Sequence, residues 1–212
     1  MKLLQADVNR EGLRPLTDTR SVADIEIGGQ TVYEHVQESL KGYEHDVLTP
    51  EYLEDITEKN SEFHGLDREV NPELDAERIV YNSSVIPEPG IAAEIDKLDT
   101  GEGLFYDNTF IAGISNENLD YSDLDDYIDD LDPVQTSEDP LVLERPWDLV
   151  EHNGELIERY FDSGAVEGEF SEDAVIRGSK ERLYVGAGAT VGMETDEGFR
   201  GEVVIDTSEG PV

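Results

Sequence analysis

The chain has 212 residues, with 15 Lys and Arg against 52 Asp and Glu, a formal charge of −37, and no Cys. So anionic a surface repels nucleic-acid phosphates and anionic lipid headgroups, which argues against both as partners, and the lack of cysteine removes disulfides, thiolate metal sites and a Cys nucleophile. Hydrophobic residues make up 37% and are spread along the whole chain, so one or two domains can bury a core, while no apolar run approaches the roughly 20 residues of a membrane span.

The acids are interleaved with Val, Ile, Leu and Tyr, as in Glu202-Val203-Val204-Ile205-Asp206, whereas a disordered acidic tail would carry a like-charge block with few apolar residues. Lys is scarce and Arg carries most of the positive charge. This is the pattern of a folded protein from a salt-adapted cytoplasm. In molar salt the Debye length falls to about 3 Å, and carboxylate repulsion is largely screened. Met1 to Asp7 turns polar too soon for a secretory signal.

In chain order, Lys2 to Gln5 reads as a first strand, followed by a loop around Gly12 and Pro15. Residues 31–40 place Val32, Val36 and Leu40 at helical spacing after Gly28-Gly29. Asp46 to Leu48 reads as the next strand, Pro50 to Lys59 as a helix, and residues 60–77 as loop. Arg78 to Asn82 follows as a buried strand, Pro89 to Leu98 as a helix, and residues 103–106 and 110–114 as two strands around an Asp107-Asn108 turn. The alternation predicts an α/β layer architecture.

Asp120 to Asp132 has the acidity of a calcium loop but lacks its central Gly and closing Glu. Tyr121, Leu124, Ile128 and Leu131 recur at three or four residues, so an acidic amphipathic helix is expected there. Pro146 to Phe161 reads as a second substantial helix, with Trp147 expected as a core or interface anchor and Val150, Leu156 and Ile157 available to pack.

Beyond Phe161 the chain turns to short apolar pieces separated by Gly. Val185-Gly186 and Val191-Gly192 stand six residues apart, with small Ala189 and Thr195 four residues after each Val. That is the hexapeptide pattern of a left-handed parallel β-helix. Ala174-Val175-Ile176, Val203-Val204-Ile205 and Gly210-Pro211-Val212 extend it loosely. A solenoid needs at least three stacked repeats, so further turns, or a partner that covers the last ones, are expected.

Leu13-Arg14-Pro15-Leu16-Thr17-Asp18-Thr19-Arg20, running on to Gly29 and Glu34-His35-Val36, resembles the signature loop of sugar-1-phosphate nucleotidyltransferases. That loop begins Gly-x-Gly-Thr-Arg and is followed by Pro-Lys-Pro. Here Val8 and Arg10 stand at the two glycine positions, Gly12 where the Arg belongs and Val22 in place of the Lys. The chain is more similar to a divergent branch resembling the bifunctional N-acetylglucosamine-1-phosphate uridylyltransferase and glucosamine-1-phosphate acetyltransferase. The marks are Pro15-Leu16-Thr17, Thr19-Arg20, Val22-Ala23-Asp24-Ile25, Asn82 with Pro87, Phe110-Ile111-Ala112, Pro146-Trp147-Asp148 and Asn153-Gly154.

The resemblance implies a Rossmann-like nucleotidyltransferase domain over residues 1–163, followed over 164–212 by the start of a left-handed β-helix. It implies transfer between a nucleoside triphosphate and a sugar 1-phosphate with Mg²⁺ bridging phosphates, and a homotrimer through the β-helix. Arg14 and Arg20 would contact phosphate, Gly12 and Thr17 would shape the loop, and Asp24 and Asn82 would face ribose or sugar hydroxyls. The alternative is a catalytically degenerate scaffold for a hexapeptide-repeat acyltransferase or binding module. The four histidines, His35, His45, His64 and His152, all lie outside the hexapeptide region and leave it without an acetyl-transfer base.

Overall fold

The computed structural model describes residues 1–73, 76–160, 167–170, 175–186, 189–191 and 204–206. The chain divides into two compact units, Met1–Glu151 and His152–Val212.

The first unit is built on β1 (Lys2–Ala6), a short hairpin of β2 (Glu26–Ile27) and β3 (Gln30–Thr31), α1 (Val32–Ser39), β4 (Glu44–Leu48) and α2 (Glu54–His64). It continues through β5 (Arg78–Asn82), β6 (Val85–Ile86), α3 (Ile91–Ile95), β7 (Glu102–Tyr106), β8 (Thr109–Ser115), α4 (Leu124–Asp129), β9 (Asp132–Gln135), β10 (Leu141–Val142) and α5 (Pro146–Tyr160), whose last turns belong to the second unit. Six strands form one sheet in the order β4-β1-β5-β8-β7-β9. β4, β1 and β5 run parallel, β8 is antiparallel to both its neighbours, and β9 is parallel to β7.

β1 is central because Leu3, Leu4 and Ala6 suit a strand covered on both faces. On one face Leu4 and Ala6 join Leu48, Val80, Phe110 and residues of the α4 segment, Leu124 and Leu131. On the other, Gln5 donates to the Tyr33 carbonyl of α1. α1 starts where Thr31 and Glu34 form a capping box, each side chain accepting from the other's backbone N–H. It buries Val32, Tyr33, His35 and Val36.

Both outer edges of the sheet are modified. Val47 of β4 is bridged by the passing segment, donating to the Glu69 carbonyl and accepting from Asn71 N–H. β9, Asp-Pro-Val-Gln, is exposed along its whole length.

Several boundaries differ from the sequence expectation. Glu51–Leu53 forms a single 3-10 turn, and α2 then runs to His64, so residues 60–64 are helical and not loop. Gly65, at φ 67°, stops that helix in the left-handed conformation. α3 is short, ending at Ile95. The acidic helix forms as a 3-10 turn at Tyr121–Asp123 and α4, with Asp132 already in β9. The expected Asp107-Asn108 turn is present, with Asp107 at φ 53°.

Trp147 is the clearest correction. It is 58% exposed and Val150 is 81% exposed, so neither anchors a core. The Arg145 guanidinium lies over the indole, 5.1 Å from its centroid, which supplies a cation–π contact in place of burial. Leu156 on the same helix is buried.

In the second unit, β11 (Glu169–Phe170) pairs in parallel with β13 (Thr190–Val191), and β12 (Val175–Arg177) with β14 (Val204–Asp206). Gly168 is required by close approach: a Cβ there would stand 2.5 Å from the Ala189 carbonyl oxygen and 2.6 Å from a Val185 methyl. Val185 is buried. Phe161, Ala174, Gly192, Thr195, Val203 and Gly210 to Val212 lie outside the described residues.

Candidate functional site

The sheet order itself creates a crevice. The chain leaves β1 toward β4 on one side and returns to β5 on the other, so the connections diverge at the carboxyl ends of β1 and β5. Ligands of open α/β sheets bind at such a switch point. Here a cleft of about 950 Å³ opens, reached by Asn9 after β1, by Asn82 at the end of β5 and by Ser84 just beyond it. Phe105 and Phe110, edge to face at 5.7 Å between centroids, line it with Ile128. Among the described residues, four carboxylates, Asp107, Asp125, Asp129 and Glu144, reach its walls, and no Lys or Arg lines it.

Asn82 is buried and fully engaged. Its Nδ2 donates to the Phe110 carbonyl at 2.8 Å, while its Oδ1 accepts from Ser84 N–H at 2.9 Å and Ser84 Oγ at 2.8 Å. These bonds clamp the end of β5 to β8. They also hold the turn into β6, which pairs antiparallel with β10. That pairing delivers residues 143–145 to the loop after β1, where Asn9 Nδ2 donates to the Leu143 carbonyl at 3.0 Å. Gly12 follows from the same approach: a Cβ would stand 2.3 Å from the Glu144 carbonyl oxygen.

The loop after β1 closes on a buried acid. Asp7 accepts from Ser21 Oγ at 2.8 Å, Val22 N–H at 2.9 Å and Thr49 Oγ1 at 2.7 Å, and Arg10 Nε lies 3.7 Å away. Burial pushes its pKa up to about 6, against the opposing pull of Thr49, Ser21, Arg10 and the Val22 N–H. Arg10 donates to the Thr17 carbonyl and to Tyr52 Oη, and Thr17 Oγ1 donates back to the Arg10 carbonyl at 2.6 Å. The N–H groups of Leu13, Arg14 and Leu16 are bonded within the turn. Those of Asn9, Arg10, Glu11 and Gly12 donate to no described residue. Successive unengaged N–H groups at the start of such a turn are suited to an anion.

The structure brings Gly12, Thr17 and Asn82 to this region. Arg14 is half exposed and paired with Glu11 at 2.8 Å and Asp18 at 3.0 Å. Arg20 is exposed and makes no ion pair with a described residue. Asp24 is not among the cleft-lining residues; it is buried against Arg68, with Asn60 Nδ2 donating to it at 2.9 Å. Sequence reasoning missed Asp7, Arg10, Asn9 and Ser84. An acid and an arginine standing at and beside glycine positions were the available signal, because a charge there needs a partner folded over it.

Among the described residues no three His, Asp or Glu side chains converge on a metal position. Asp125 and Asp129, one turn apart on α4, and Asp107 present hard oxygen ligands on the cleft walls. Mg²⁺ takes one or two carboxylates, keeps several waters and completes its shell from substrate phosphates. The donor set therefore fits a Mg²⁺ carried in with a phosphorylated substrate and not an all-protein cage.

A sheet of three parallel and two antiparallel pairings, with its cleft at the switch point, defines an α/β fold of the doubly wound kind. A family model described as "Sugar nucleotidyl transferase" matches residues 3–165, and the chain belongs to that family. Among solved structures, a putative glucose-1-phosphate thymidylyltransferase from Bacillus anthracis, crystallised with sucrose, matches with a TM-score of 0.43 and 11% identity, over 74% of this chain and 96% of that one. No curated protein matches the chain. Among the described residues, no helix is long and apolar enough to cross a membrane.

Proposed function

We propose that the chain is a sugar-1-phosphate nucleotidyltransferase. A phosphate oxygen of the sugar 1-phosphate attacks the α-phosphorus of a nucleoside triphosphate, the bond from that phosphorus to the bridging oxygen breaks, and pyrophosphate leaves. The observation that carries this reading is the run of N–H groups over residues 9–12 that donate to no described residue, its first member Asn9 lining the switch-point cleft, in a chain of this family. Those groups bind triphosphate oxygens, and their fixed dipoles offset charge that develops in the transition state. Arg20, which pairs with no described acid, reaches phosphate directly, and Arg14 does so by exchanging its partners Glu11 and Asp18. Asn82 shapes the cleft floor on which the sugar rests, and Thr17 and Gly12 hold the loop that faces it. Asp24 acts from outside the cleft, by fixing the 3-10 turn Val22–Asp24 against Arg68.

When bound, Mg²⁺ neutralises the phosphates and activates the leaving pyrophosphate. Asp125 and Asp129, one turn apart on the cleft wall, would supply one or two of its ligands, and substrate phosphates and water the rest. Among the described residues no basic side chain lines the cleft, so a bound Mg²⁺ would supply positive charge that the cleft walls do not.

The same lack of a lining cation, with Val8 and Arg10 at glycine positions and Val22 buried where a Lys is found in the resemblance, supports a second reading. In it the α/β unit is a degenerate scaffold, and a left-handed β-helix beginning near residue 164 carries acyl transfer or binding and forms a homotrimer. The parallel pairs β11-β13 and β12-β14 support such a β-helix. Both readings place the protein in a salt-adapted cytoplasm.

Pyrophosphate release is the test, in about 2–3 M KCl to screen carboxylate repulsion, with Mg²⁺, the common nucleoside triphosphates and a panel of hexose and hexosamine 1-phosphates. Turnover that drops about tenfold or more on Arg20→Ala supports the transferase. Silence from a folded protein supports the scaffold.

A further inference from the structure

Arg10 spans the turn after β1 from its first residues to its last. Its guanidinium donates to the Thr17 carbonyl while Thr17 Oγ1 donates to the Arg10 carbonyl, a reciprocal pair seven residues apart. A third bond goes to Tyr52 Oη at 2.7 Å, and the guanidinium lies 5.4 Å from the centre of that ring. The charge faces buried Asp7 at 3.7 Å, and Tyr121 Oη donates to the Asp7 carbonyl at 3.0 Å. Only 12% of the Arg10 side chain is exposed, and it does not line the cleft.

We propose that Arg10 is a positioning residue for nucleotide binding: by tying the turn to Thr17 it fixes the direction in which the N–H groups of residues 9–12 point. The proposal rests on the transferase reading. A glycine at this position would leave the turn without this tie, so the side chain does here what backbone geometry does in a glycine-rich loop. A planar guanidinium is needed, because Nη2 donates to both the Thr17 carbonyl and Tyr52 Oη while the separate Nε faces the Asp7 carboxylate at 3.7 Å. A lysine ammonium keeps the charge and loses the fork.

The experiment compares wild type with Arg10→Lys, Arg10→Gln and Thr17→Val by two readouts. The first is pyrophosphate release with nucleoside triphosphate varied at saturating Mg²⁺ and sugar 1-phosphate. The second is amide hydrogen exchange at Leu13, Arg14 and Leu16, with Leu3 to Ala6 as the internal check that the sheet is folded. Arg10→Lys and Arg10→Gln should both raise KM for the nucleotide about tenfold, with kcat within about threefold, because uniform binding is lost while the reacting groups remain. Exchange at the three turn amides should rise while β1 stays protected. Thr17→Val, which removes only the return bond, should move both readouts in the same direction by less. Arg10→Lys equal to wild type, or turn exchange unchanged in Arg10→Gln, overturns the proposal. A wild type that turns over no nucleotide on the panel overturns the transferase reading and the proposal with it, whereas turnover insensitive to Arg10 overturns the proposal alone.

Discussion

Two parallel neighbours, β1 and β5, end at the same crevice and are finished by opposite chemistry. After β5, Asn82 ties Ser84 and Phe110 together with neutral hydrogen bonds. After β1, a buried carboxylate and a guanidinium that faces it gather Ser21, Val22, Thr49, Thr17 and Tyr52. The neutral knot has no titration and is worth the same at every pH. The charged one carries the desolvation cost of its acid, so one wall of the cleft depends on pH and the other does not.

The largest effect is expected from Asn82→Ala, which strands the Ser84 N–H and hydroxyl and the Phe110 carbonyl in a buried place. At roughly 1–3 kcal/mol per orphaned group, partly relaxed, the loss should be about 3–4 kcal/mol. Denaturant unfolding should give the same loss at pH 5 and pH 8; a loss that varies with pH would erase the contrast.

Asp7→Asn should show the pH dependence that Asn82→Ala lacks. The folded pKa of Asp7, about 6, lies above the ordinary 3.8, so the folded chain binds the extra proton. Its contribution is therefore fully present below about pH 4 and is lost as pH rises through 6, which amounts to roughly 3 kcal/mol at 1.36 kcal/mol per pH unit. The amide stays neutral, so the stability of Asp7→Asn relative to wild type should rise by that amount between pH 4 and pH 8. A flat difference would show that the Asp7 charge is fully compensated by its four partners.

Gly12→Ala should cost about 2 kcal/mol, the range of an overpacked site, because the obstructing atom is the Glu144 backbone oxygen at 2.3 Å and cannot rotate away. The same variant should loosen the join between the two walls, read as faster amide exchange at Leu143. Smallest of all is Trp147→Ala, under about 1 kcal/mol, since the exposed indole offers only its stacking with Arg145. A cost of several kcal/mol would restore Trp147 as an anchor.

The sheet strands were legible because β1, β5, β7 and β8 carry uninterrupted apolar or alternating runs with a Gly, Asn or Asp at their ends. The α1 start was legible from Thr31 and Glu34, whose capping box is purely local. Strand order was not: nothing local tells β8 to lie antiparallel beside β5, since that is decided by how the intervening segments cover the two faces. Of the candidate site, Gly12, Thr17 and Asn82 came from the resemblance, and each is explained by a contact over seven to 132 positions of sequence. Asp7 and Arg10 were opaque because charge at a loop start is read as solvated until the partner that encloses it is seen. Trp147 failed for the converse reason, as aromatic size implies burial only when a neighbouring element covers it.

The edges of the sheet bear on how copies of the protein can meet. β9 offers a fully exposed strand, the usual template for unwanted pairing, but begins Asp132-Pro133, a charge followed by a residue with no N–H. At the opposite edge the β4 backbone around Val47 is already occupied by the chain's own Glu69 and Asn71. Neither border invites a strand from a second copy. Both borders of this sheet are thereby guarded against runaway strand-by-strand extension, so the sheet itself stays six strands wide.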